Sequence, residues 1–188
     1  MSVTVKPAEF LLVLFDPARI VAIVEDVARR LDLPDDVMIT FDVDEGSPLA
    51  RTALTSIDPP VIAVEGGALE EPRRPRNLSE EAVAVTAARL LARVADRRDP
   101  NFGPAPAEAS LTLPQADAWD AYALGRAERL GIEVRQPRWR YRFRMRHGFT
   151  DTADRAFDRL WAAEGLAWAD IEAASVEALA AREGAGAA

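Results

Sequence analysis

RWRYRFRMRH, residues 138–147, is the stretch on which the fold turns. Arginine occupies positions 138, 140, 142, 144 and 146, with Trp139, Tyr141, Phe143, Met145 and His147 between them. Strict alternation matches the period of a β-strand, whose successive side chains point to opposite faces. Tryptophan, tyrosine and phenylalanine also favour strands. On a helix the same arginines would spread around the whole cylinder. The pattern predicts a strand over 138–147. One face is then a ladder of five guanidinium groups (Arg138, Arg140, Arg142, Arg144 and Arg146), and the other is aromatic and buried.

Five like charges at two-residue spacing repel, so they need partners. Residues 37–44, VMITFDVD, alternate in the same way, with Val37, Ile39, Phe41 and Val43 on one face and Asp42 and Asp44 on the other. If the two strands pair, arginine lies opposite aspartate, each pair contributing about 0.2–1 kcal/mol. Left unpaired, the ladder is an anion site, because a planar guanidinium grips phosphate or carboxylate in a fork. Arg138, Arg140, Arg142, Arg144, Arg146 and the adjacent His147 are therefore the candidate ligand-binding residues. Arg73, Arg74 and Arg76 form a shorter basic cluster that reads as a solvated turn.

Strands are also expected at 52–57 and 61–65, and segment 10–15, FLLVLF, fits either a buried strand or the first turns of a helix. Asp16 and Pro17 open a helix over 17–31 as N-cap and first helical residue. Asn77 and Glu80 suggest a capping box for a helix over 78–98, and Thr112 and Gln115 one for a helix ending at Gly131. Thr150 or Asp151 starts a helix stopped by Gly165, and a last helix covers 168–182. Strands cluster early and helices late, which is an α+β pattern. The expected fold is a small, mostly antiparallel sheet with strands near 37–44, 52–57, 61–65 and 138–147, packed on about five helices. Phe41, Trp119, Phe143, Phe157 and Trp161 should be core. The length, 188 residues, suits one domain or two small ones. The reading adopted is one α+β domain over 1–183 with a flexible tail at 184–188.

The chain has 31 acidic and 23 basic residues, a net charge of −8, no cysteine and one histidine. Without cysteine there is no disulfide framework, thiolate cluster or thiol catalysis. One histidine excludes multi-histidine metal sites within a single chain. The only lysine, Lys6, lies in no phosphate-binding loop motif. No apolar run reaches the ~18 residues of a membrane span, and the first residues carry no secretory signal, so a cytoplasmic location is expected. The acidic balance opposes nucleic acid, which leaves another protein, a small anionic ligand or a second copy as partners. No cofactor is expected. Asp42 and Asp44, with Glu45 and Glu65, are weak candidates for a hard cation, since 42 and 44 share a strand face. His147 lacks a carboxylate partner that spacing could identify.

ITFDVDEG, at 39–46, resembles the first motif of the haloacid-dehalogenase phosphatases. The resemblance would make Asp42 the nucleophile and Asp44 the general acid/base. It covers eight residues; Gly46 stands where the family has threonine or valine, and no lysine follows downstream. The order helix, strand, strand pair, long helix over residues 17–98 looks like the core of small zinc peptidases of the zincin class. Their H-E-x-x-H would lie on the long helix, where i, i+4 histidines share a face. Here that helix reads SEEAVAVTAARLLARVADRR and has no histidine. That resemblance implies a zincin-like scaffold without zinc chemistry. The function expected is non-catalytic, an interaction or structural domain. The alternative is a binding protein or enzyme for an anionic ligand, using the arginine ladder.

Overall fold

A computed structural model describes residues 1–186 and gives two compact units, Met1–Ala95 and Asp96–Ala188. The class is α+β, with the sheets in the first unit and a helical bundle in the second.

The first unit opens with a strand absent from the sequence reading, β1 (Ser2–Lys6). Helix α1 (Pro17–Arg30) follows and then β2 (Met38–Asp44), which pairs parallel with β1 through Val5 opposite Phe41. Asp16 caps α1 as expected, accepting a hydrogen bond from the Ala18 N–H at 2.9 Å. Ile20, Val24, Val27 and Ala28 are its buried face. β3 (Thr52–Ile57) and β4 (Pro60–Glu65) form an antiparallel hairpin, and β4 also pairs parallel with β2. The order is β1-β2-β4-β3. The sheet is thus mixed, with antiparallel pairing at β3-β4 alone, where mostly antiparallel strands were expected. Parallel β1 and β2 need a crossover, and α1 supplies it.

Segment 10–15 is neither strand nor helix. It is a loop with one isolated bridge, Leu14 to Asn77, and only Val13 and Phe15 turn inward. The stretch around Arg73, Arg74 and Arg76, expected as a solvated turn, belongs to a second two-stranded sheet, β5 (Glu70–Glu71) with β6 (Arg74–Leu78). Helix α2 (Glu80–Arg98) starts one residue after Ser79, whose hydroxyl accepts the Ala82 N–H at 3.2 Å. Ser79, not Asn77, is therefore its cap.

The second unit takes up the end of α2 and adds α3 (Leu113–Arg129), α4 (Gln136–His147), α5 (Asp151–Ala162) and α6 (Trp168–Gly186). The capping box of α3 is present, Thr112 and Gln115 each satisfying the other's backbone N–H. Thr150 caps α5 through the Ala153 N–H. Phe41, Trp119, Phe143, Phe157 and Trp161 are all buried, as expected. Among the described residues there are six α-helices where five were expected, and the sixth is α4 itself: residues 138–147 are helical, not a strand. Of the tail expected at 184–188, residues through Gly186 continue α6, and the last two lie outside the described residues.

Helices α3 and α5 meet backbone to backbone at Gly125. A Cβ there would sit 2.0 Å from the Trp161 carbonyl oxygen. Alanine would otherwise favour a helix interior by about 1 kcal/mol. Gly125→Ala is nevertheless expected to destabilise the protein by about 1–3 kcal/mol, the usual cost of overpacking. A lower melting temperature in calorimetry checks this; a higher one contradicts it.

Candidate functional site

The arginine segment was the first candidate site, and α4 changes its geometry. Pro137 stands in the first turn and Gly148, at φ 95°, closes the helix. Successive arginines two residues apart turn by about 200°, so alternate members point to different flanks. Arg142 and Arg146, four apart, face α3. Arg140 and Arg144, four apart, face α5.

Each flank carries carboxylates at matching spacing. On α3, Asp117 Oδ1 accepts from Arg142 Nε at 2.7 Å, and Arg146 Nε lies 3.5 Å from Asp117 Oδ2. Asp120, one turn on, lies 4.0 Å from the Arg142 guanidinium. On α5, Asp154 takes a fork from Arg144, with Nε and Nη2 each donating at 2.6 Å. Arg140 donates to Asp158 and lies 3.9 Å from Asp154, with its guanidinium 4.7 Å over the Phe157 ring. Arg138 is exposed and has no ion pair among the described residues. Four of the five guanidinium groups are thus engaged by aspartates of the same unit, and none by Asp42 or Asp44.

The electrostatics follow burial. The Arg144 hydrogen bonds hold the Asp154 carboxyl below its ordinary range, and Asp154 raises Arg144 in turn. Asp117 is buried, and that desolvation raises its pKa even against Arg142.

His147 is fully buried. Its ring stacks on Phe143 with centroids 3.8 Å apart. Nδ1 lies 3.1 Å from the Phe143 carbonyl and Nε2 2.8 Å from Ser175 Oγ. A carbonyl only accepts, so Nδ1 carries the proton and Nε2 accepts from the Ser175 hydroxyl. Burial lowers its pKa from 6.5 to about 4, with Arg182 adding to the effect. This is a neutral imidazole with both nitrogens used.

Asp42 and Asp44 occupy the exposed face of β2, level with Lys6 and Glu65 of the flanking strands. Asp44 Oδ1 accepts the Gly46 N–H at 3.1 Å. Glu45 turns away to accept the Leu11 and Leu12 N–H groups at 2.8 and 2.6 Å. Glu65 lies 4.0 Å from Arg51. Among the described residues no three histidine, cysteine or acidic side chains gather as a metal site. Nor is any helix long and apolar enough to cross a membrane.

The surface the sequence reading passed over lies in the first unit. Leu11, Leu12 and Leu14 are 86%, 58% and 73% exposed. Arg73, Arg74 and Arg76 are exposed beside them, and among the described residues they have no ion pair. In sequence, FLLVLF reads as core, and nothing in composition says which of two basic clusters has acids facing it. Comparison of the chain with protein-family models, curated proteins and solved structures finds no match.

Proposed function

We propose that this chain is a non-catalytic interaction protein. The observation that carries the reading is the Leu11–Leu14 segment. Its backbone is pinned by Glu45 and by β6, yet three leucines project into solvent. A large apolar side chain held outward on an ordered segment costs solubility and gains nothing in the fold, and such patches mark contact surfaces. Most of the groups that would serve chemistry are committed elsewhere: Arg140, Arg142, Arg144 and Arg146 to aspartates, and His147 to Phe143 and Ser175. The order α1, β2, β3-β4, α2 favours a companion reading of the first unit as a zincin-like scaffold without zinc-binding histidines.

A ligand at about a hundredfold its Kd adds about 2.7 kcal/mol to stability, enough to raise the melting temperature by several degrees. Inorganic phosphate, citrate, ATP, Mg²⁺, Mn²⁺ and Zn²⁺ are each expected to leave it unchanged. Hydrolysis of p-nitrophenyl phosphate and of casein is expected to stay at background. A melting shift abolished by Arg142→Ala, or turnover abolished by Asp42→Asn, overturns the reading in favour of an anion-using protein.

A further inference from the structure

We propose that the Leu11–Leu12–Leu14 loop and the Arg73–Arg74–Arg76 hairpin form one docking surface, and that its occupant is an acidic amphipathic segment of another protein. This rests on the interaction reading and names the partner's chemistry.

The two halves of the surface adjoin. The Leu14 N–H donates to the Arg76 carbonyl at 2.7 Å, and Leu14 bridges Asn77 in β6. The leucines and the arginines therefore project from neighbouring stretches of backbone. The leucine loop is held from beneath. Val13 and Phe15 are buried, and Phe10 packs edge-on to Phe15 at 5.4 Å. One Glu45 oxygen takes both the Leu11 and Leu12 N–H groups. A preformed surface spends little of its binding energy on ordering itself.

Charge chooses the occupant. Three guanidinium groups beside an apolar patch match carboxylates interspersed with apolar side chains, each guanidinium able to take a carboxylate in a fork. An anionic bilayer offers similar local chemistry but a far larger field. Residues 1–95 hold 16 acidic and 10 basic side chains, so the body carrying this patch is repelled from such a surface. A short peptide feels chiefly the charges within a Debye length of about 8 Å: Arg73, Arg74 and Arg76 at the hairpin end, and at the leucine end Glu45, whose carboxylate is already engaged by the Leu11 and Leu12 N–H groups. A second copy is disfavoured for a related reason. Of the chain's other exposed aromatic and methionine side chains, Tyr141 and Met145 lie on α4, which holds no carboxylate of its own to offer Arg73, Arg74 and Arg76, Phe149 follows directly after it, and Met38 is the one exposed apolar side chain of β2.

The test uses the full chain and a fluorescein-labelled synthetic helix of about two turns per apolar heptad, with leucine on one face and glutamate on the other. The matched control replaces every glutamate by lysine. Saturable binding of the glutamate peptide, weakened by added salt, is the expected result, with no binding of the lysine peptide. The triple variant Leu11→Ser, Leu12→Ser, Leu14→Ser is expected to weaken binding about tenfold or more, as loss of a contact centre does. The triple variant Arg73→Ser, Arg74→Ser, Arg76→Ser should weaken it similarly and flatten its salt dependence. All six side chains are exposed, so both variants should melt like the wild type. Tyr141→Ser with Met145→Ser should bind as the wild type does. No binding of the glutamate peptide, equal binding of the lysine peptide, or binding indifferent to both triple variants overturns the proposal. So does capture by phosphatidylserine vesicles without peptide binding, or dimerisation lost in the leucine variant. None of these outcomes touches the interaction reading, which fails separately if the small-ligand and turnover assays are positive.

Discussion

Trp119→Ala is expected to remove most of the stability of the helical unit. Trp119 is fully buried and stacked on Phe102 at 5.1 Å, with Trp168 5.2 Å away on a tilted plane. The Arg97 guanidinium lies 4.8 Å from its ring. Its indole N–H donates to Asp96 Oδ2 at 2.6 Å, and Asp96 is buried too, with Arg126 2.6 Å from its other oxygen. Truncation therefore opens a cavity among two aromatic rings and also takes a donor from a buried carboxylate. The cavity costs about 3–5 kcal/mol. The lost hydrogen bond adds about 1–3 kcal/mol. Against a whole-domain stability of about 5–15 kcal/mol, the variant should lie near its unfolding midpoint at ambient temperature. Trp119→Phe keeps a ring in the stack while losing the donor and part of the buried volume, so its cost should be smaller than that of the alanine variant and still exceed about 1 kcal/mol. Urea titration followed by far-ultraviolet circular dichroism measures both. A cost below about 2 kcal/mol for the alanine variant would mean that the pocket collapses instead of staying open.

Trp119 was legible as core because it sits on a regular helical stripe with a capping box at its start. The arginine segment was misread because two periodicities compete there. Alternation by composition is period two, but the forces on the segment are set by its neighbours. A strand would have gathered five guanidinium groups on one face, and β2, which carries Asp42 and Asp44, has both edges taken by β1 and β4. A helix divides them between two acidic walls, Asp117 on α3 and Asp154 with Asp158 on α5. The signal was in the flanks: Pro137 and Gly148 bracket the segment as a helix start and stop. β1 was missed because five residues of SVTVK hold too few apolar positions to show a period, and only pairing with β2 makes them a strand. Segment 10–15 was read inward because apolar composition says nothing of what covers it. Loop geometry turned Val13 and Phe15 in and left the leucines out. The candidate site fared likewise. Sequence located the charges, but whether a charge is spent or free depends on contacts between helices far apart in the chain.

His147 gives the sharpest reading of the second unit by pH. Since it is the only histidine, one imidazole resonance reports it without assignment. In the folded protein that resonance is expected not to titrate between pH 8 and about pH 5.5, because burial sets the pKa at about 4 against 6.5 for a free group. The consequence for stability has a definite sign. Between these two values the unfolded chain binds the proton and the folded chain does not. Stability from this group is therefore complete above pH 6.5, falls as the pH drops, and is lost once the folded pKa is reached. At about 1.4 kcal/mol per unit the loss is a little over ~3 kcal/mol. Carboxylates also titrate over this range, so the contribution is isolated by the difference between wild type and His147→Gln, whose amide can donate to the Phe143 carbonyl. That difference should be steepest between pH 6 and about pH 4.5 and absent above pH 7.5. The proton is costly because the ring is buried: Ser175 Oγ can turn to accept from Nε2, but the charge then sits out of water and within reach of Arg182. An imidazole titrating near pH 6.5 in the folded state would mean that the Phe143–His147–Ser175 contact opens, and α4 would then be loosely attached where it is described as fixed.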